Sequence, residues 1–250
     1  MCYFWSMKST FAFCTALVAA AVIAVVATSV AAPDSKKADD KSAPVADEPK
    51  VAKAPDKVFT NSVDMILLAM PGDYWAGEYL VTQKEYTKVM GSNPSAFAGD
   101  NRPVDSVTYE DAIAFCEKLT AQDIEKKFLP GGYSYTLPTE SEWESLVAGA
   151  ELDSAVTSQN ASRSGTSPVG SLAANSLGLY DIRGNLMEFC LSDGSKPFRV
   201  LRGGSWQDHI EVNLRTEFRW YCKPDEKMNI FGFRVLLKKA GANGSAPAGS

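Results

Sequence analysis

Apolar positions fall along this chain in three rhythms, and each predicts a different kind of segment. The first is an unbroken apolar run at 11–32, FAFCTALVAAAVIAVVATSVAA, preceded by Lys8. It reaches Ser29-Val30-Ala31, the small-x-small form cut by signal peptidase, so residues 1–31 are expected to be a signal peptide. The run is also long enough to cross a bilayer, and an uncleaved N-terminal anchor is the competing reading. On either reading the rest of the chain is exported (periplasmic, envelope-associated or secreted), touching membrane only if the leader stays.

The second rhythm is the absence of one. Residues 32–57 mix Lys, Asp, Ala and Pro without a single aromatic, and 240–250 read AGANGSAPAGS. Neither can bury enough apolar surface to offset its ordering entropy, so a disordered linker and a flexible tail are expected. That leaves 58–239 as one folded domain.

Within 58–239 the third rhythm alternates short apolar runs with helical stripes. Met65–Met70, halted by Pro71-Gly72, reads as a strand and turn. Thr82 with Glu85, Thr108 with Asp111 and Thr139 with Glu142 have capping-box spacing and predict three helix starts. The first helix runs to about Met90. The second carries Ala112, Phe115, Cys116 and Leu119 at the spacing of one buried face, and the third carries Trp143, Leu146 and Val147. Asn93-Pro94 and Asn101-Arg102-Pro103 mark loop, as does the Ser/Thr/Asn/Gly-rich segment 154–167. Phe198–Leu201 and Phe231–Leu237 read as late strands. Helices first and strands later predict an α+β domain with much irregular chain.

Charge and rare residues narrow the chemistry. A net charge of −5 and a pI near 5.1 give no electrostatic footprint for nucleic acid. His209 is the only histidine, which argues against histidine-rich metal sites and Ser-His-Asp catalysis. Beyond the leader the cysteines are Cys116, Cys190 and Cys222; at most one pair can form, and in an oxidising compartment Cys190–Cys222 is the plausible one, since Cys116 belongs to a helical stripe, though sequence alone does not establish it.

The candidate chemistry concentrates in 178–206, GLYDIRGNLMEFCLSDGSKPFRVLRGGSW. Gly184-Asn185 is a turn former, since glycine accepts positive φ and asparagine tolerates it. A turn there would fold Asp181 back toward Glu188 with backbone carbonyls between them. Those are the hard oxygen ligands that calcium takes.

Five ordered motifs carry a family resemblance: Leu137-Pro138-Thr139-Glu140 with Glu142-Trp143-Glu144; Ala174-Asn175-Ser176-Leu177-Gly178-Leu179-Tyr180-Asp181; Gly184-Asn185 with Glu188; Arg202-Gly203-Gly204-Ser205-Trp206; and Gly232-Phe233-Arg234. In this order they resemble the formylglycine-generating enzyme, or sulfatase-modifying factor, domain over 58–239. The resemblance implies a variant of the C-type lectin fold. It also implies a calcium site made of Asp181 and Glu188 side chains with Gly184 and Leu186 carbonyls. Those enzymes oxidise a sulfatase cysteine to formylglycine with oxygen, copper and two active-site cysteines, placed at the third and eighth positions after the serine of the Gly-Gly-Ser motif. Here those positions are Asp208 and Asn213, and no cysteine lies between Cys190 and Cys222. Carboxylate and amide are poor ligands for Cu(I), which prefers thiolates, so copper is not expected.

The resulting expectation is an exported, non-catalytic binding or scaffold protein, with a formylglycine-generating oxidoreductase as the alternative. A protein, peptide or small ligand would sit in a cleft lined by Ser205, Trp206, Asp208, His209, Arg219, Trp220 and Tyr221. The variable ligand-binding proteins of diversity-generating retroelements share the implied fold, and they vary the segment between Gly-Gly-Ser-Trp and Gly-Phe-Arg.

Overall fold

Residues 58–129, 132–159, 164–192, 194–209 and 211–239 are described by a computed structural model. The expected leader, linker and tail lie outside the described residues. Among the described residues two antiparallel-rich sheets and three α-helices, with two short 3-10 turns, form an α+β architecture, as expected. The larger sheet joins β1 (Val58–Thr60), β2 (Ile66–Met70), β3 (Tyr74–Gly77), β9 (Leu236–Lys239) and β4 (Tyr133–Thr136), in that spatial order. The smaller sheet joins β7 (Trp220–Cys222), β6 (Arg199–Arg202), β5 (Met187–Cys190) and β8 (Phe231–Gly232).

The helices begin where the capping boxes place them. In α1 (Gln83–Met90), α2 (Tyr109–Glu125) and α3 (Glu140–Val147), the threonine hydroxyl accepts from the N3 backbone N–H. The N3 carboxylate reaches back to the threonine N–H in each. Satisfying two of the first turn's free donors is worth about 1 kcal/mol per cap. The expected stripes are buried: Ala112, Phe115, Cys116 and Leu119 enter the main core, Trp143, Leu146 and Val147 a second one.

The expected strand over 231–237 is instead two strands in different sheets. Phe231–Gly232 pairs parallel to β5, Leu236–Lys239 pairs with β3 and β4, and Phe233-Arg234-Val235 crosses between the sheets. A continuous apolar run cannot by itself reveal where a chain changes sheet. Arg234 therefore sits, fully buried, at the junction of the two sheets.

The Cys190–Cys222 pairing also fails. Both thiols, and that of Cys116, are free and buried. β6 lies between β5 and β7, so the two cysteines are two strand spacings apart, about 10 Å, against about 7 Å at most for a bridgeable pair. Register separates them further: Cys190 aligns with Val200 and Tyr221, whereas Cys222 aligns with Arg199, one position off. Alternation then sends the two side chains to opposite faces, Cys222 into the main core and Cys190 into the second.

Candidate functional site

Asp181 and Glu188 do fold toward each other, because Gly184 (φ 75°) and Asn185 (φ 58°) both take the left-handed conformation. What meets them is Arg234. Its Nε lies 3.3 and 3.2 Å from the two Glu188 oxygens and its Nη2 2.9 Å from Oε1. The same guanidinium donates to the carbonyls of Gly77, Glu78 and Tyr180 at 2.8, 3.0 and 2.6 Å. Glu188 and Arg234 are both 0% exposed. Asp181 is buried beside them, with Oδ2 accepting the Gly170 N–H at 2.8 Å. Burial raises the Glu188 carboxyl above its ordinary range despite the opposing Arg234 charge. Burial raises Asp181 too, against the Gly170 N–H and Arg234.

This arrangement does not fit calcium as the resemblance distributes it. Both Glu188 oxygens face a guanidinium, whose charge occupies the place a cation would take. Among the described residues no group of three or more His, Cys, Asp or Glu side chains could hold a metal ion, though a site of two carboxylates and two carbonyls would not contain such a group in any case.

A second ionic cluster holds the Arg-Gly-Gly-Ser-Trp segment. The Arg202 side chain, 0% exposed, donates to Glu140 at 2.7 Å, to Glu144 at 2.8 Å and to the Thr216 carbonyl. Its guanidinium lies 5.0 Å from the centre of the Trp143 ring. Arg219 reaches the same two glutamates at 2.5 and 3.2 Å. Glu140 and Glu144 are one turn apart on α3, so one face of a short helix clamps two arginines. The hydrogen bond from Arg202 holds Glu144 below the usual carboxylate range. Arg219, expected in the cleft, is thus committed to α3.

Beyond Arg202 the chain turns on Gly203 (φ 94°) and Gly204 (φ 71°). A Cβ on Gly204 would stand 2.6 Å from Leu214 and 3.0 Å from the Asn213 carbonyl, so this turn presses on the following loop. There Asp208 organises the contacts. Its Oδ2 accepts the Ser205 N–H at 2.7 Å and hydroxyl at 3.0 Å, and its Oδ1 accepts the Asn213 amide at 2.6 Å. Ser205 is fully buried and Asp208 nearly so. The two positions that the family resemblance assigns to thiols are in direct contact, as a carboxylate and an amide.

The other expected cleft residues do not gather into one site. Trp206 is half-buried, packs edge-on to Phe97 at 5.3 Å and donates its indole N–H to the Asn229 carbonyl. His209 is exposed, its carbonyl accepting from Gln159. Trp220 packs against the main core, while Tyr221, next along β7, is exposed on the opposite face.

One open cleft lies elsewhere, between loops 97–102 and 164–166. It encloses about 240 Å³ and is lined by Phe97, Ala98, Arg102, Ser164, Gly165 and Thr166. The sequence marks both stretches only as loops. The arrangement of the first depends on Gln83, which is 1% exposed. Its amide donates to the Phe97 and Pro103 carbonyls and accepts from Asn93 and the Gly99 N–H. A glutamine at a helix start carries no signal of that role.

Comparison with known proteins places these features in context. Residues 68–239 match the sulfatase-modifying factor enzyme 1-like domain. A chaperone protein LppX of Paenibacillus barcinonensis is 29% identical, across 56% of this chain and 71% of its own length. A formylglycine-generating enzyme of Thermomonospora curvata is 27% identical, across 67% of this chain and 62% of its own. The serine/threonine-protein kinase pkn1 of Chlamydia caviae is 32% identical over 127 residues, only 20% of its length. Among solved structures, Treponema denticola variable protein 1 superposes with TM-score 0.58 at 27% identity, covering 74% of this chain and 92% of that one. PvdO from Pseudomonas aeruginosa shares the fold at TM-score 0.60 and 19% identity, covering 75% of this chain and all of that one.

Proposed function

The chain belongs to the sulfatase-modifying factor enzyme 1-like domain family, and on that premise we propose that it is an exported, non-catalytic binding or scaffold member. One observation supports this reading: Asp208 and Asn213, which the resemblance aligns with the family's thiols, are satisfied by each other and by Ser205. A carboxylate and an amide do not fit Cu(I), which is held by soft thiolates. The described thiols offer no substitute. All three are buried, and burial pushes the Cys222 thiol up to about 12 and those of Cys116 and Cys190 further. Thiolate character, which copper binding and nucleophilic attack both need, is suppressed at each.

The similarity to a protein named a chaperone supports a protein partner, and the apolar leader supports export. The oxidoreductase reading keeps the support of the formylglycine-generating relative at 27% identity. The two readings divide over what positions 208 and 213 can hold. In a titration with Cu(I) against a competing chelator, the Asp208→Cys, Asn213→Cys double variant should retain about one equivalent more copper than the unmodified chain, since two adjoining thiolates suit Cu(I). Equal retention by the two proteins would remove the slot assignment and with it the ground for this proposal.

A further inference from the structure

We propose that the cleft between loops 97–102 and 164–166 binds a carboxylate carried by a peptide, with Arg102 as the recognising cation. This names the partner chemistry of the binding reading and rests on that reading.

The cleft is built, although no regular element forms it. Gln83 fixes Phe97, Gly99 and Pro103 from below. Fully buried Asp105 holds the other end of the loop, its carboxylate accepting the Ala96 N–H at 2.8 Å while its own N–H reaches Ser95 Oγ at 3.1 Å. On the opposite wall, the Asn185 side chain exchanges hydrogen bonds with the Ser167 backbone, and Val169 N–H reaches the Asn101 carbonyl at 2.8 Å. Gly165 (φ 155°) lies so close to Phe97 that a Cβ would stand 2.6 Å from its ring. Buried polar groups that fix a partly exposed loop leave little conformational entropy to lose when a ligand arrives.

Two groups in this cleft lack a partner. The Arg102 stem packs on Gly99, where a Cβ would stand 3.0 Å from Cδ. Arg102 lines the cleft, and no described residue pairs with its guanidinium. Thr166 lines the same cleft at 1% exposure, with no hydrogen-bond partner for Oγ1. A guanidinium fork matches a single carboxylate, and a neighbouring hydroxyl can add a further donor. Phe97, backed by Trp206, supplies an apolar wall beside them. One cation in a chain of net charge −5 is a poor trap for a multiply charged anion.

The source of the carboxylate is either an acidic side chain or a chain terminus, and three peptides separate these. Acetyl-Gly-Gly-Phe-Glu-amide carries only the side-chain acid, acetyl-Gly-Gly-Phe-Gln with a free terminus only the α-acid, and acetyl-Gly-Gly-Phe-Gln-amide neither. Calorimetric titration of the full chain should show at least one acid peptide binding about tenfold or more tighter than the neutral one. Arg102→Gln and Thr166→Val should each weaken that binding, the first by about tenfold, as expected for a lost charge-assisted hydrogen bond. Both variants should keep the parent melting temperature, since neither removes a hydrogen bond or ion pair made within the domain and both keep most of the side chain's packing. Equal binding of all three peptides, no binding by any, unchanged affinity in both variants, or tighter binding of inorganic phosphate would overturn the proposal. Aldehyde formation from a cysteine peptide would sink the non-catalytic reading while leaving this titration's outcome intact, so the two failures are distinguishable.

Discussion

Replacing Arg234 by methionine is expected to destabilise the domain by about 3–5 kcal/mol, the cost of leaving a buried charge without its partner. Arg234 sits where the chain passes from β8 to β9, and it touches both sheets: Gly77 and Glu78 at the end of β3 and just beyond it, and Glu188 on β5. Methionine would leave Glu188 at 0% exposure with no counter-charge and would take a donor from the Gly77, Glu78 and Tyr180 carbonyls, of which Glu78 keeps the Tyr180 N–H. Urea unfolding gives the cost directly, provided the slope is unchanged. Combining the change with Glu188→Gln should recover part of the loss, because a neutral amide is far cheaper to bury than a carboxylate. Recovery of nothing would mean that the carbonyl contacts, not the ion pair, dominate. By the same reasoning the guanidinium stands in for an ion at Glu188, so a chelator should leave the melting temperature where it is.

Gly184→Ala is expected to cost about 2–4 kcal/mol, the sum of left-handed strain and overpacking. Gly184 has φ 75°, and a Cβ there would stand 2.4 Å from the Val156 carbonyl oxygen and 2.7 Å from its nitrogen. Both are backbone atoms, tied in place by the bridge between Val156 and Gly184 and by the 2.8 Å bond from Asn185 N–H to the Val156 carbonyl. No side-chain rotation can relieve that contact. Gly91→Ala supplies the internal comparison. Its φ is 78°, but nothing lies within 4 Å of the added carbon, so only the strain of about 1 kcal/mol should appear. Equal costs at the two sites would refute the steric argument.

These two positions show which parts of the fold the sequence announces. The Gly184-Asn185 turn and the three capping boxes are local devices. Each needs only its own neighbours to act, and each forms where its residues predict. The strands are different. β3, β4, β5 and β7 have three or four residues, too few for alternation to register, and they are defined by partners far along the chain. The split of Phe231–Leu237 between sheets and the separation of Cys190 from Cys222 are both matters of pairing, which no single stretch encodes.

The candidate site divides along the same line. Asp181 and Glu188 converge as the turn predicts, but the cation between them comes from Arg234, 46 residues beyond Glu188. The family resemblance, by counting from Ser205, aligns Asp208 and Asn213 with thiol positions, yet their 2.6 Å hydrogen bond and the burial of Asp208 cannot be read that way. Phe97 and Arg102 carry no motif. Their cleft exists because Gln83 and Asp105 fold a loop without regular structure into a fixed shape.

One experiment asks whether this domain performs the oxidation of the formylglycine-generating enzymes. Incubation of the purified chain with Cu(I), oxygen and a sulfatase-type cysteine peptide, followed by mass spectrometry, answers this most directly. With Asp208 and Asn213 in place of thiols, no aldehyde should form beyond the level of the peptide alone. Aldehyde accumulating over many turnovers would contradict that expectation, because the chain would then catalyse the oxidation without the sulfur pair.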